Sequence, residues 1–87
     1  MLSEAFMKIE EHDYYFTRGS DVIRDGMFLE VSRDAESGTE LVAEVFFSDI
    51  TLNYTLTCFM EDVPLELIEE LIRQAKIRLP PVNESNG

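Results

Sequence analysis

Three stretches in the middle of the chain alternate apolar and polar residues with period two. Met27, Leu29 and Val31 alternate within Met27–Arg33, Leu41, Ala43, Val45 and Phe47 within Glu40–Ser48, and Leu52, Tyr54, Leu56, Cys58 and Met60 within Leu52–Met60. A period of two puts the apolar side chains on one face of a half-buried strand. The connections Asp34-Ala35-Glu36-Ser37-Gly38 and Ser48-Asp49-Ile50-Thr51 carry turn residues, so the pattern predicts an antiparallel meander. Same-face pairing sets Leu29 beside Ala43 and Val31 beside Leu41, then Ala43 beside Leu56 and Val45 beside Tyr54.

The period changes after Asp62. Leu65, Ile68, Leu71, Ile72, Ala75 and Leu79 recur at steps of three and four, the spacing of one helical stripe. Glu66, Glu69, Arg73 and Lys76 fall on the opposite side, with acids early and bases late as the helix dipole favours. Asp62 is the expected N-cap, Pro64 suits the first turn, Glu69 and Arg73 form an i,i+4 pair, and Pro80-Pro81 ends the helix. The first 26 residues are less regular: Tyr14-Tyr15-Phe16-Thr17 is β-prone, Thr17–Asp21 and Asp25-Gly26 read as turns, and residues 4–17 are expected as a first edge strand. The expected fold is α+β. An antiparallel β-meander of three to four strands carries one C-terminal amphipathic helix packed on one face. Residues 1–82 form one domain and 83–87 a polar tail.

Charge narrows the function. Residues 1–62 hold fourteen acids against four bases, so almost all of the net charge of −11 lies there. Such a field repels nucleic acid and anionic membranes and steers the chain toward basic partners. The 45% hydrophobic content is that of a globular domain, not of a disordered acidic tail. One cysteine, Cys58, permits no internal disulfide, and no signal-like or membrane-spanning run is present, so a cytoplasmic location is expected.

Motifs for chemistry are missing. His12 stands among Glu10, Glu11 and Asp13, but neighbouring side chains on a strand or loop diverge instead of converging on a metal. Cys58 falls on the expected core row and has no basic neighbour to activate it. No nucleophile elbow, phosphate loop or paired-cysteine motif occurs, so neither catalysis nor a cofactor or metal is expected.

Binding is the better reading. Opposite the core row stand Phe28, Glu30, Val42, Glu44, Phe46, Thr55, Thr57 and Phe59. Aromatic anchors supply contact area and charges supply steering in protein interfaces. The expected partner-binding residues are therefore Phe28, Glu30, Glu44, Phe46 and Phe59, with Glu10, Glu11 and Asp13 as an acidic flank. Two other roles stand beside this one: the N-terminal segment covers the Phe row as a second small core, or the row pairs two copies into a homodimer.

The layout resembles small acidic immunity proteins of bacterial polymorphic toxin systems. The segments that carry the likeness are Asp25-Gly26-Met27-Phe28-Leu29-Glu30-Val31, Glu44-Val45-Phe46-Phe47-Ser48-Asp49, and Val63 to Ile72 continuing to Arg78-Leu79-Pro80-Pro81. The resemblance implies a non-catalytic inhibitor that binds a basic toxin, often a nuclease, through an acidic surface.

Overall fold

The computed structural model describes residues 5–79. Among these, five strands form one antiparallel sheet in chain order: β1 (Phe6–Ile9), β2 (His12–Asp21), β3 (Gly26–Ala35), β4 (Gly38–Ser48) and β5 (Tyr54–Cys58). One helix, α1 (Leu65–Arg78), follows and lies against β3 and β4. The α+β meander with a C-terminal helix is thus present, with five strands where three to four were expected. The expected tail lies outside the described residues. No described helix is long and apolar enough to cross a membrane.

The additional strand comes from the N-terminal segment. The expected single strand over residues 4–17 is a hairpin, β1 and β2, that turns at Glu10-Glu11, where Glu10 takes the left-handed conformation at φ 55°. Residues 17–21, expected as a turn, continue β2 and pair with β3 from Thr17↔Glu30 to Asp21↔Gly26. Gly19 is needed in this strand for space: a Cβ there would lie 2.5 Å from the ring tip of Phe28. The ring fills the place that a side chain would take, as aromatic residues do over glycines in sheets.

The register is two residues away from the expected one but keeps its parity over most of the sheet. Leu29 faces Val45 and Val31 faces Ala43; on the other side Val45 faces Leu56 and Phe47 faces Tyr54. A bulge between Val31 and Ser32 then breaks the alternation, so that Ser32 pairs with Leu41. The bulge turns Val42 inward, 2% exposed, and leaves Leu41 38% exposed. Both had been assigned to the opposite faces.

The core sits between the sheet and α1. Tyr14, Phe16, Leu29, Val31, Ala43, Val45 and Phe47 meet Leu67, Leu71, Ala75 and Leu79. The helix is rotated from the expected stripe. Leu65 and Ile72 are exposed, whereas Leu67, Glu70 and Gln74 are buried. Its N-cap position is Pro64, without a side-chain cap, and not Asp62, which sits two residues upstream at φ 54°. Pro64 itself is extended (ψ 133°), so helical geometry begins only at Leu65, and the Pro64 carbonyl accepts from the Leu67 and Ile68 amides.

Hydrogen bonds explain the buried polar residues. The Arg73 guanidinium donates to both Glu70 oxygens at 3.0 and 2.7 Å, replacing the expected pair with Glu69. Gln74 Nε2 donates to Glu70 at 2.8 Å, and Gln74 Oε1 accepts from Arg78 at 2.8 Å. Arg18, on the helix side of β2, donates to the Arg78 carbonyl at 3.0 Å and so ties the helix C-terminus to the sheet.

Candidate functional site

The strands that bury Leu29, Val31, Ala43 and Val45 necessarily turn Phe28, Glu30, Glu44 and Phe46 to the opposite face. Phe28 pairs with Phe46 and Glu30 with Glu44, so two phenyl rings and two carboxylates form a square at the centre of the sheet. Among the described residues no helix or strand lies over this face. The N-terminal segment, one expected cover, lies at the sheet edge as β1. Phe28 and Phe46 are nevertheless only half-exposed. Their rings lie over Gly19 and Gly26; a Cβ on Gly26 would stand 2.5 Å from Phe46 Cζ and also collide with the Phe47 carbonyl.

One side of the square is already occupied by a cation from the same chain. Arg24, in the loop between β2 and β3, holds its guanidinium 4.1 Å from the centroid of the Phe46 ring. It donates to both oxygens of Glu44, at 3.0 and 3.5 Å, and to Asp21 at 2.5 Å. These bonds hold the Asp21 carboxyl below the usual aspartate range.

Among the described residues the other side has no such cation. Glu30 has no ion-pair partner among the described residues. Burial, and next the facing charge of Glu44, push its carboxyl above the ordinary glutamate value. Like charges directly opposite on neighbouring strands oppose folding. The sign for stability follows: a carboxyl raised in the folded state penalises folding once pH rises through its folded pKa, and the penalty is absent below its unfolded value near ~4.3. Glu30→Gln is therefore expected to stabilise the fold by about 0.5 kcal/mol at neutral pH. Urea melts at pH 7 and at pH 4 should show the gain at the first and its loss at the second.

The remaining expected residues lie apart from the square. Phe59 follows β5, is largely exposed, and donates its amide to the Val42 carbonyl. Asp13 is on the same face but at a far corner, four residues along β2 from Thr17, where Lys8 pairs with it at 3.3 Å. Glu10 and Glu11 form the β1–β2 turn beyond it. His12 is exposed, and among the described residues no three His, Cys, Asp or Glu side chains are grouped to hold a metal. Cys58 faces the helix side as its parity requires, yet is exposed, because α1 packs mainly on β3 and β4 and leaves the Cys58 end of β5 uncovered.

Three further features were missed by the sequence reading. Arg24 is the first. The second is the pair Phe6 and Tyr15, with ring centroids 5.7 Å apart, which extends the aromatic face toward β1, while the Tyr15 hydroxyl donates the other way, to Asp34 on β3, at 3.3 Å. The third is a set of bare aliphatic side chains at one end of the sheet. Val22 and Ile23 on the β2–β3 loop are 84% and 94% exposed, and Ile50 and Leu52 on the β4–β5 loop are exposed beside them. The Asp49 amide donates to the Asp25 carbonyl at 2.8 Å and joins the two loops. The available signal was the apolar pair Val22-Ile23 inside a turn bounded by Asp21 and Asp25.

No family model, curated relative or solved structure matches the chain.

Proposed function

We propose that the protein is a non-catalytic binding module whose open sheet face takes up a basic protein. The observation that carries this reading is the unequal square. Phe46 and Glu44 hold the Arg24 guanidinium, one by its ring and the other by its carboxylate. Phe28 and Glu30 present the same two groups beside them, with no cation on them among the described residues. An arginine from a partner fits there in the way Arg24 fits its neighbour, stacking on a phenyl ring while its planar fork meets a carboxylate. The aliphatic loop tips Val22, Ile23, Ile50 and Leu52 add apolar area at the adjoining end.

The mechanism is occupation of a surface. The net charge of −11 raises the rate of encounter with a basic protein, and the central residues then fix orientation. An inhibitor that blocks a basic toxin, as the immunity-like layout implies, is the specific form of this reading.

Salt tests it. Association with the partner should slow and weaken as ionic strength rises from about 0.01 M to about 1 M, because the screening length falls from roughly 30 Å to 3 Å. A dissociation constant that holds steady over that range contradicts the proposal.

A further inference from the structure

The two edges of the sheet differ in how they are protected. Edge strands present unpaired backbone groups and are usually guarded by shortness or by charge. β1 is four residues long and has Lys8 within it and Glu10 just after it. β5, at five residues, is nearly as short but lacks the guard of charge. The stretch from Asn53 to Met60 has no charged residue, in a chain that is 29% charged.

The hydrogen bonds show which backbone groups of β5 are free to pair. Ser48 N–H donates to the Asn53 carbonyl, and Phe59 N–H donates to the Val42 carbonyl. Odd-numbered residues of this segment thus direct their backbone groups to β4. In an antiparallel strand the alternate residues direct theirs to the other side, so Tyr54, Leu56 and Cys58 point their N–H and C=O groups away from the sheet. Their side chains face the helix side. There α1 stops short and leaves an apolar groove of about 190 Å³ lined by Val45, Tyr54, Leu56, Ile72, Ala75 and Lys76. Leu56 and Ile72 on its walls are 46% and 39% exposed.

We propose that β5 is a homodimer interface, pairing antiparallel with β5 of a second copy. The inference does not rest on the binding function proposed for the opposite face. A strand that fits this edge must be uncharged and must present apolar side chains at alternate positions, and β5 itself meets both conditions. The register that pairs all three outward residues sets Leu56 against Leu56 of the second copy, on the two-fold axis. Tyr54 then faces Cys58 of the second copy, and each pair exchanges two hydrogen bonds. The two leucines lie side by side next to the Ile72 side chains and close both grooves. The two sheets become one, and the helices of both copies lie on one side of it.

Two copies that each carry −11 repel, so salt should strengthen this dimer, the reverse of its expected effect on a basic partner. Sedimentation equilibrium across micromolar concentrations should show monomer and dimer, with the dimer fraction rising with salt; a monomer throughout overturns the proposal. Leu56→Lys sets two like charges on the axis and should weaken dimerisation at least tenfold, about 1.4 kcal/mol. An unchanged dimer in that variant, or a dimer lost instead in folded Glu30→Lys, overturns it as well. If Leu56→Lys does not fold, Leu56→Cys in a Cys58→Ser background decides the matter. The paired Cα atoms would lie roughly 5.5 Å apart, within disulfide reach, so oxidation should trap a covalent dimer, and failure to trap one overturns the register.

Discussion

Leu71→Ala should cost about 3 kcal/mol, while Ile72→Ala, one residue on, should cost less than about 1 kcal/mol. Leu71 has no exposed surface and lies at the centre of the helix stripe that meets Leu29 and Val45, whereas Ile72 is 39% exposed at the groove beside β5. A truncation in a closed core loses the transfer free energy of the removed atoms and leaves a cavity; at a half-open site water and neighbouring groups fill the gap. A domain of this size holds roughly 4–13 kcal/mol of stability in total, so the first variant is a severe one. Urea melts read the contrast directly. The Leu71→Ala midpoint should fall by about 2 M and that of Ile72→Ala by well under 1 M. Equal losses would mean that the helix faces the sheet as the sequence pattern expects, not as the structure has it.

The second large effect is expected at Glu70. Its carboxylate accepts two bonds from Arg73 and one from the buried amide of Gln74. Glu70→Ala leaves the Gln74 donor, in a residue only 1% exposed, without that acceptor, at a cost of about 2 kcal/mol. Glu70→Gln keeps an acceptor and should cost less. The Arg73 bonds hold the Glu70 carboxyl below the ordinary glutamate value, against the opposing effect of burial. A carboxyl lowered in the folded state contributes stability that is present above its unfolded pKa and is lost as pH falls through the folded one. The wild type should therefore lose more stability than Glu70→Gln when pH falls below about 4.3, in melts at pH 7 and pH 3. Parallel losses in the two proteins would show that the ionised Glu70 carboxylate adds nothing to stability at neutral pH.

These two positions also mark where the sequence was and was not readable. Hydropathy places the helix correctly but not its rotation, because leucine and isoleucine occur on more than one side of it. Leu65 and Ile77 are exposed, and the buried Glu70 and Gln74 look like surface residues until their partners are known. The middle strands were legible because one face is buried and one is open, so alternation survives a shift of two residues. It fails at Leu41-Val42-Ala43, where three apolar residues in a row conceal the bulge. The N-terminal hairpin was hidden by an atypical turn at Glu10-Glu11, and Gly19 passed for a turn residue when its role is to make room for Phe28.

For the candidate site the same logic holds. Phe28, Glu30, Glu44 and Phe46 share a face because their strand pairing lies on the regular side of the bulge, so parity alone brought them together. Parity could not show that Arg24 folds back from a loop onto one half of that square and leaves the other half open, since this contact depends on side-chain reach. Nor could it separate Glu10, Glu11 and Asp13 from the centre: they are close to the others in charge and far from them in register. Cys58 was assigned to the core because its parity was right, but the helix does not extend over β5.

On the proposed function, a basic protein docks on the uncompensated side of the square, Phe28 with Glu30. Capture from a native host lysate tests it with three baits checked for folding: wild type, Glu30→Lys, and the double variant Glu10→Lys, Glu11→Lys. A basic protein should be retained by the wild type and by the double variant and lost from Glu30→Lys. Retention by Glu30→Lys equal to that of the wild type, or loss from the turn variant alone, would contradict it.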